Sequence, residues 1–301
     1  MKRHWLATGL LLSIILAGNC WAKYQENPDA VFKALHADDS TINQAVIDEL
    51  KLDLMADGYY AEGLRWERDV PGKTKVLAMD VHSDTNYLFW RREGKGWKYL
   101  GSYLYEMQIQ NHPFLKTITA PDNRSFLRII YYQDEGTGIY RQGEDWFDLS
   151  GDTAINILTF PTNGDCCPSC LCSEINFHCS SLQNIKGDLH LKISYKGVYS
   201  NLGFWNEEFP RIKELFRAKR DIYYVLPKGK TSFVVDTTMS KWSQQDIYNM
   251  FTMGASDIWT TFHDELSELK KKNDPEINRM LDKLESCAKK ELESNGPYLY
   301  Y

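Results

Sequence analysis

Five of the seven cysteines fall within fourteen residues, as Cys166-Cys167-Pro168-Ser169-Cys170-Leu171-Cys172 followed by Cys179. Cys167 and Cys170 form a C-x₂-C, Cys170 and Cys172 a C-x-C, and His178 directly precedes Cys179. Thiolates and imidazole at such spacings suit zinc or copper(I), because one turn brings several donors to the same side of a metal. Structural zinc sites are usually built from two separated pairs, however, and this chain has one tight cluster. In an oxidising compartment the same residues form disulfides. A redox-active C-x₂-C would open a helix in a βαβ setting, whereas Pro161 and Pro168 mark an irregular loop. Disulfides among Cys166, Cys167, Cys170, Cys172, Cys179 and Cys287 are therefore expected. The alternative is a zinc site drawn from Cys167, Cys170, Cys172, His178 and Cys179. No other cofactor is expected.

Cys287 stands apart. It lies three residues after Leu284 and ten after Ile277, on the apolar stripe of a predicted helix. Adjacent Cys166 and Cys167 can pair only under strain, since bridges prefer Cα separations above ~4.4 Å. The simplest complete pairing takes two bridges inside the cluster and one from it to Cys287. That bridge would stabilise by up to ~4–5 kcal/mol on loop-closure entropy. The competing reading makes Cys287 a buried free thiol behaving as a small apolar residue.

A second set of residues could do acid–base or metal chemistry. Asp80, His82 and Asp84 alternate, so a strand would project them from one face. Three such groups could hold a divalent metal, or a His–Asp pair could move a proton. The same alternation is what a polar, solvent-facing strand shows. Glu106 and His112-Pro113 stand near the next predicted turn. The sequence has no G-x-S-x-G, H-E-x-x-H, P-loop or G-x-G-x-x-G. Gly136-Thr137-Gly138 lies between two predicted strands and reads as a hairpin turn.

The compartment follows from the N-terminus. Lys2 and Arg3 precede an apolar run from Leu6 to Ala17, and Cys20-Trp21-Ala22 places small residues for a cut before Lys23. That order is a secretory signal peptide. The run is short for crossing a bilayer core of ~30 Å. A lipobox would set a small residue directly before Cys20, where Asn19 stands, so a periplasmic or secreted protein is expected over a lipoprotein. Removal of residues 1–22 takes Cys20 and leaves six cysteines, an even number. A formal charge of −6 argues against nucleic acid as a partner, since phosphate binding needs clustered Lys and Arg.

The elements that position these residues read as α+β. Asp29 to His36 suggests a short helix. Thr41-Ile42-Asn43-Gln44 has the capping-box form before an amphipathic helix reaching Ala56, stopped by Asp57-Gly58. Period-two segments follow at Lys75–Val81, Asn86–Arg92, Trp97–Met107 and Phe126–Gln133, then at Gly138–Gln142 and Asp145–Leu149, with a break expected at Gly143-Glu144. Matches of Leu77 with Leu127, Trp90-Arg91 with Tyr140-Arg141, Trp97 with Trp146 and Leu100 with Leu149 suggest a repeat of about 50 residues. Two copies cannot close a propeller of the usual four to eight blades. A curved antiparallel meander or sandwich is expected, with an irregular small propeller as the alternative.

Residues 159–181 read as an irregular cysteine-rich insertion. Gly187–Ser200 reads as strand, Trp205–Arg220 as partly helical, and Tyr223–Leu226 with Ser232–Val235 as a hairpin around Pro227-Lys228-Gly229-Lys230. Ser243 to Asp246 opens a helical tail, and Asp274-Pro275 starts its last helix. The expected organisation is a signal peptide at 1–22, a helical segment at 23–58, an antiparallel β domain at 59–238 and a helical segment at 239–301. The function class expected is a non-enzymatic binding or structural protein of a bacterial envelope, partnered by a ligand or another envelope protein. The alternatives are an exported hydrolase using Asp80, His82 and Asp84, and a thiol or metal protein centred on Cys166–Cys179.

Overall fold

The structure, a computed structural model, describes residues 23–37, 40–52, 65–70, 75–81, 86–104, 114–136, 139–166, 172–200, 214–251 and 254–293. The chain is α+β: antiparallel strands dominate, preceded by N-terminal helices and followed by a helical C-terminal segment. It divides into two compact units. One comprises Met1–Gln108 with Asp148–Ile155, the other Ile109–Phe147 with Asn156–Tyr301.

The first unit holds helices α1 (Pro28–Leu35) and α2 (Ser40–Leu50) and strands β1 (Arg65–Arg68), β2 (Val76–Val81), β3 (Asn86–Glu93) and β4 (Gly96–Leu104). Asn27 caps α1 by accepting from the Ala30 N–H at 3.1 Å, and Pro28 takes the first turn, where its missing N–H costs nothing. Helix α2 ends at Leu50, short of the expected Ala56. Lys51 adopts a left-handed conformation (φ 53°) and the Leu52 N–H reaches back to the Ile47 carbonyl at 3.0 Å. That is a Schellman stop made without glycine. Thr41 lies inside the helix, one residue after its start at Ser40.

The strands form a meander in the order β1-β2-β3-β4. Val46, Leu50 and Leu52 pack with Leu77, Met79, Leu88 and Trp90 in one core. The Trp90 indole N–H donates to the Gln25 carbonyl at 3.0 Å, which ties the segment before α1 to the sheet. Gly94 at φ 58° makes the β3–β4 turn, where a side chain would be strained.

The second unit carries strands β5 (Phe114–Thr119), β6 (Ser125–Gly136), β7 (Ile139–Asp148), β8 (Ile155–Cys166), β9 (Cys172–Ile185), β10 (Asp188–Ser200), β11 (Glu214–Leu226) and β12 (Val234–Val235). They pair in strict sequence order, from β5 at one edge to β12 at the other, so the sheet is open. Helices α3 (Gln244–Met250), α4 (Ala255–Thr261), α5 (His263–Lys271) and α6 (Pro275–Glu293) complete it. Aromatic rings join sheet to helices: Tyr195 meets Phe251 at 5.8 Å and Tyr199 meets Phe262 at 4.5 Å. Ser243 and Asp246 form the capping box of α3, and Asp274 accepts from Glu276 and Ile277 at the start of α6.

Several expectations are corrected here. Gly143-Glu144 is no break, because β7 runs through it and buries Glu144 completely. Residues 159–166 and 172–181 are the facing arms of a hairpin rather than an irregular insertion. Leu215 and Phe216 belong to a strand, not a helix. The first tail helix is three short helices. Glu291 of α6 caps the middle one, accepting from the Ala255 and Ser256 N–H groups at 3.1 and 2.8 Å where Gly254 offers no side chain. The repeat does not survive as structure either. Trp90 and Trp97 lie on separate strands across a turn, whereas Tyr140 and Trp146 share β7. The sheets are open and no propeller forms.

Candidate functional site

The residues singled out for chemistry are placed as follows. Asp80 pairs with Tyr87 across β2 and β3, and only its backbone is described. His82 and Asp84 lie outside the described residues, as do Glu106, His112, Cys167 and Cys170. Cys166 ends β8 opposite Ser173, and Cys172 begins β9 opposite Ser200. His178 and Cys179 lie further along β9, opposite Ser194 and Ile193. Strand β9 therefore sets Cys172 and Cys179 seven residues apart on one extended run, about 23 Å. It does not bring them to one metal or one bridge, which need donors within a few ångströms. Cys287 is a free, half-buried thiol on the flank of α6. Among the described residues, no three His, Cys, Asp or Glu side chains group around a common point.

What the structure does bring together is a cleft between the start of β11 and α5. Its volume is about 550 Å³, and its lining is Glu214, Leu215, Phe216 and Arg217 on the strand with Asp264, Glu265, Glu268, Leu269 and Lys272 on or just beyond the helix. Alternate residues of a strand point to opposite faces. The pairing of β10 with β11 slips between Tyr199 and Ser200 and leaves Leu215 as a bulge, so four consecutive residues at the start of the strand meet one space. The helical positions recur at i, i+1, i+4, i+5 and i+8, which is one face of a helix. The cleft is thus a groove with the bulged start of a strand on one side and a helix face on the other. Leu215, Phe216 and Leu269 are buried beneath it. Four carboxylates and two cations line it, and three of the carboxylates are ion-paired: Glu214 with Arg217, Glu265 with Arg220 and Glu268 with Lys271.

A rigid cluster supports the groove from below. The Arg220 guanidinium is almost fully buried and ion-pairs with Glu265 at 2.7 Å. It also donates to the carbonyls of Thr261 at 3.3 Å and Lys219 at 3.1 Å. Its flat face lies 4.0 Å from the Trp242 ring and 5.2 Å from Phe262, so cation–π attraction adds to the ion pair. Phe216 stacks on Tyr199 at 4.6 Å with planes 10° apart. Tyr199 in turn lies across Gly197, where an added Cβ would meet its ring at 2.7 Å. Burial pushes the Tyr199 hydroxyl well above the ordinary tyrosine range, Arg220 lowers it in part and Glu265 raises it further. Among the described residues, that hydroxyl and the Arg220 Nε have no hydrogen-bond partner.

At the surface, Arg217 and Glu214 form a two-pronged pair, both contacts 2.8 Å. The Arg217 contact holds Glu214 below the usual carboxylate range. No family model matches the chain. No curated protein and no solved structure matches it either.

Sequence reasoning missed this groove because it took Trp205–Arg220 as partly helical. The signal was present in Phe216, Ala218, Ile222, Tyr224 and Leu226, which alternate with period two across Arg220. No described helix is long and apolar enough to cross a membrane.

Proposed function

We propose that this chain is an exported, non-catalytic binding protein of a bacterial envelope, and that the groove between β11 and α5 is its recognition surface for a cationic, partly apolar partner. The observation that carries the reading is the groove itself. Its volume of about 550 Å³ falls in the range of ligand pockets, about 300–1,000 Å³. It pairs an apolar floor with a wall of ion-paired carboxylates, and the cluster of Arg220, Trp242 and Phe262 holds floor and wall in place before any partner arrives. Preorganisation of that kind reduces the entropy lost on binding. Export rests on the charged, apolar and small-residue order of residues 1–22.

The test is a nuclear magnetic resonance titration of the full chain with oligolysine and, separately, oligoglutamate. Amide shifts confined to Glu214–Arg217 and Asp264–Lys272, seen with the cation and weakened by salt, are the expected result. Shifts elsewhere, or equal shifts with the anion, would overturn the reading.

A further inference from the structure

We propose that the Tyr199 hydroxyl and the Arg220 Nε are joined by one internal water molecule, whose third partner is the Glu265 carboxylate. The inference concerns the packed layer beneath the groove and does not depend on what the groove binds. Both groups are closed off from solvent, with 1% of Tyr199 and 4% of Arg220 exposed. Among the described residues, neither the hydroxyl nor the Nε has a hydrogen-bond partner. The rest of the guanidinium is already used: it pairs with Glu265 and donates to the Lys219 and Thr261 carbonyls. A buried donor left unmet carries its full desolvation cost, and ordered water is how folded proteins commonly meet such groups.

The register of β10 and β11 puts the two groups in one place. On the face whose aromatic rings meet the helices, the opposed pairs run Tyr199↔Phe216, Gly197↔Ala218 and Tyr195↔Arg220. The Tyr199 ring leans back over Gly197, so that a Cβ there would stand 3.1 Å from the hydroxyl oxygen. The hydroxyl therefore lies in the row beside Arg220, and Ala218 opposite Gly197 contributes only a methyl group. Phe262 closes the same place from the helix side. Its ring lies 4.5 Å from the Tyr199 ring and 5.2 Å from the guanidinium. The hydroxyl also feels both charges of the Arg220–Glu265 pair.

Charge selects the guest. Arg220 already has its carboxylate, so an anion here would face Glu265 with nothing to offset it, and a cation would face Arg220. A neutral molecule with both donors and acceptors fits. Water accepts from the Nε–H, donates to the Glu265 carboxylate, and bonds the hydroxyl in either sense. Internal waters hold their place with about three such partners, which is the number offered.

Two measurements test this. A crystal structure of the full chain, at a resolution that shows ordered solvent, should place a water at hydrogen-bond distance, about 3 Å, from both the Tyr199 Oη and the Arg220 Nε. Density for no such water, or a direct bond between the two groups, would overturn the proposal. Urea unfolding of Tyr199→Phe supplies a sign. A hydroxyl bonded to water loses a satisfied bond on conversion to Phe, so the folded-to-unfolded ratio should fall about fivefold to tenfold. An orphaned hydroxyl would be a burden to the fold, and its removal would leave the ratio unchanged or raise it. Either of those results would overturn the water bridge.

Discussion

Two arginines in the larger unit hold carboxylates in different ways. Arg128 and Glu144 meet between β6 and β7, where the carboxylate is fully buried and also accepts from the Trp146 indole N–H. The Arg128 guanidinium lies 5.6 Å from the Trp146 ring. Arg220 is the more deeply buried of the two arginines, yet its partner Glu265 keeps 23% of its side chain exposed at the groove. In the first pair the carboxylate is sealed from water, while Arg128 keeps 12% of its side chain exposed. The second is open on one side, so the carboxylate can turn toward a ligand while Thr261, Lys219 and Trp242 still hold the guanidinium. The difference separates a pair that stiffens a sheet from one placed to recognise.

The largest expected effect tests the sealed pair. Glu144→Ala leaves a buried guanidinium without its carboxylate and should cost about 3–5 kcal/mol, seen as a lower midpoint in urea unfolding at unchanged slope. Glu265→Ala should cost less, about 1–2 kcal/mol, because carbonyls remain on Arg220 and water from the groove can replace the carboxylate. Equal losses in the two variants would break the comparison. The smallest effect lies at the rim. Glu214 titrates below its ordinary value because of Arg217, so the stability this pair gives is present above the unfolded carboxylate pKa and disappears as pH falls through the lowered folded value. Arg217→Ala should move the Glu214 titration back upward, followed by carboxyl-carbon resonance. It should leave the urea midpoint almost unchanged, because both side chains are solvent-exposed.

The sequence disclosed the antiparallel character and most strands, because aromatic and β-branched residues alternate cleanly there. It also disclosed the caps at Ser243 and Asp274, where the chemistry is local. It misled where a local rule met a tertiary one. Gly143-Glu144 carries turn letters, yet Arg128 and Trp146 satisfy the carboxylate inside a strand. Lys51 ends α2 although lysine is a poor left-handed residue, because the burial of Leu52 beside Val46 fixes the path of the chain. Leu215 and Phe216 fit a helical stripe as well as a strand until β10 pairs with them. The groove was illegible for a related reason: its two walls lie about 50 residues apart and neither wall carries a motif.

The order of pairing in the eight-stranded sheet bears on how the chain comes to be folded. Every strand from β5 to β12 lies beside its immediate predecessor, so each pairing closes only the turn between them, and the entropy of closing a short loop is small. The hairpin of β9 and β10 turns through Lys186 and Gly187, both at positive φ, with Ile185 opposite Asp188. That is the turn whose twist matches the strands it joins. Such a hairpin can form early and recruit β8 on one flank and β11 on the other without waiting for distant chain. For a sheet of this width the mean sequence separation of contacts stays low, which favours fast assembly. The strands can zip as they emerge from synthesis, one after another, with the helices that cover their aromatic face arriving last.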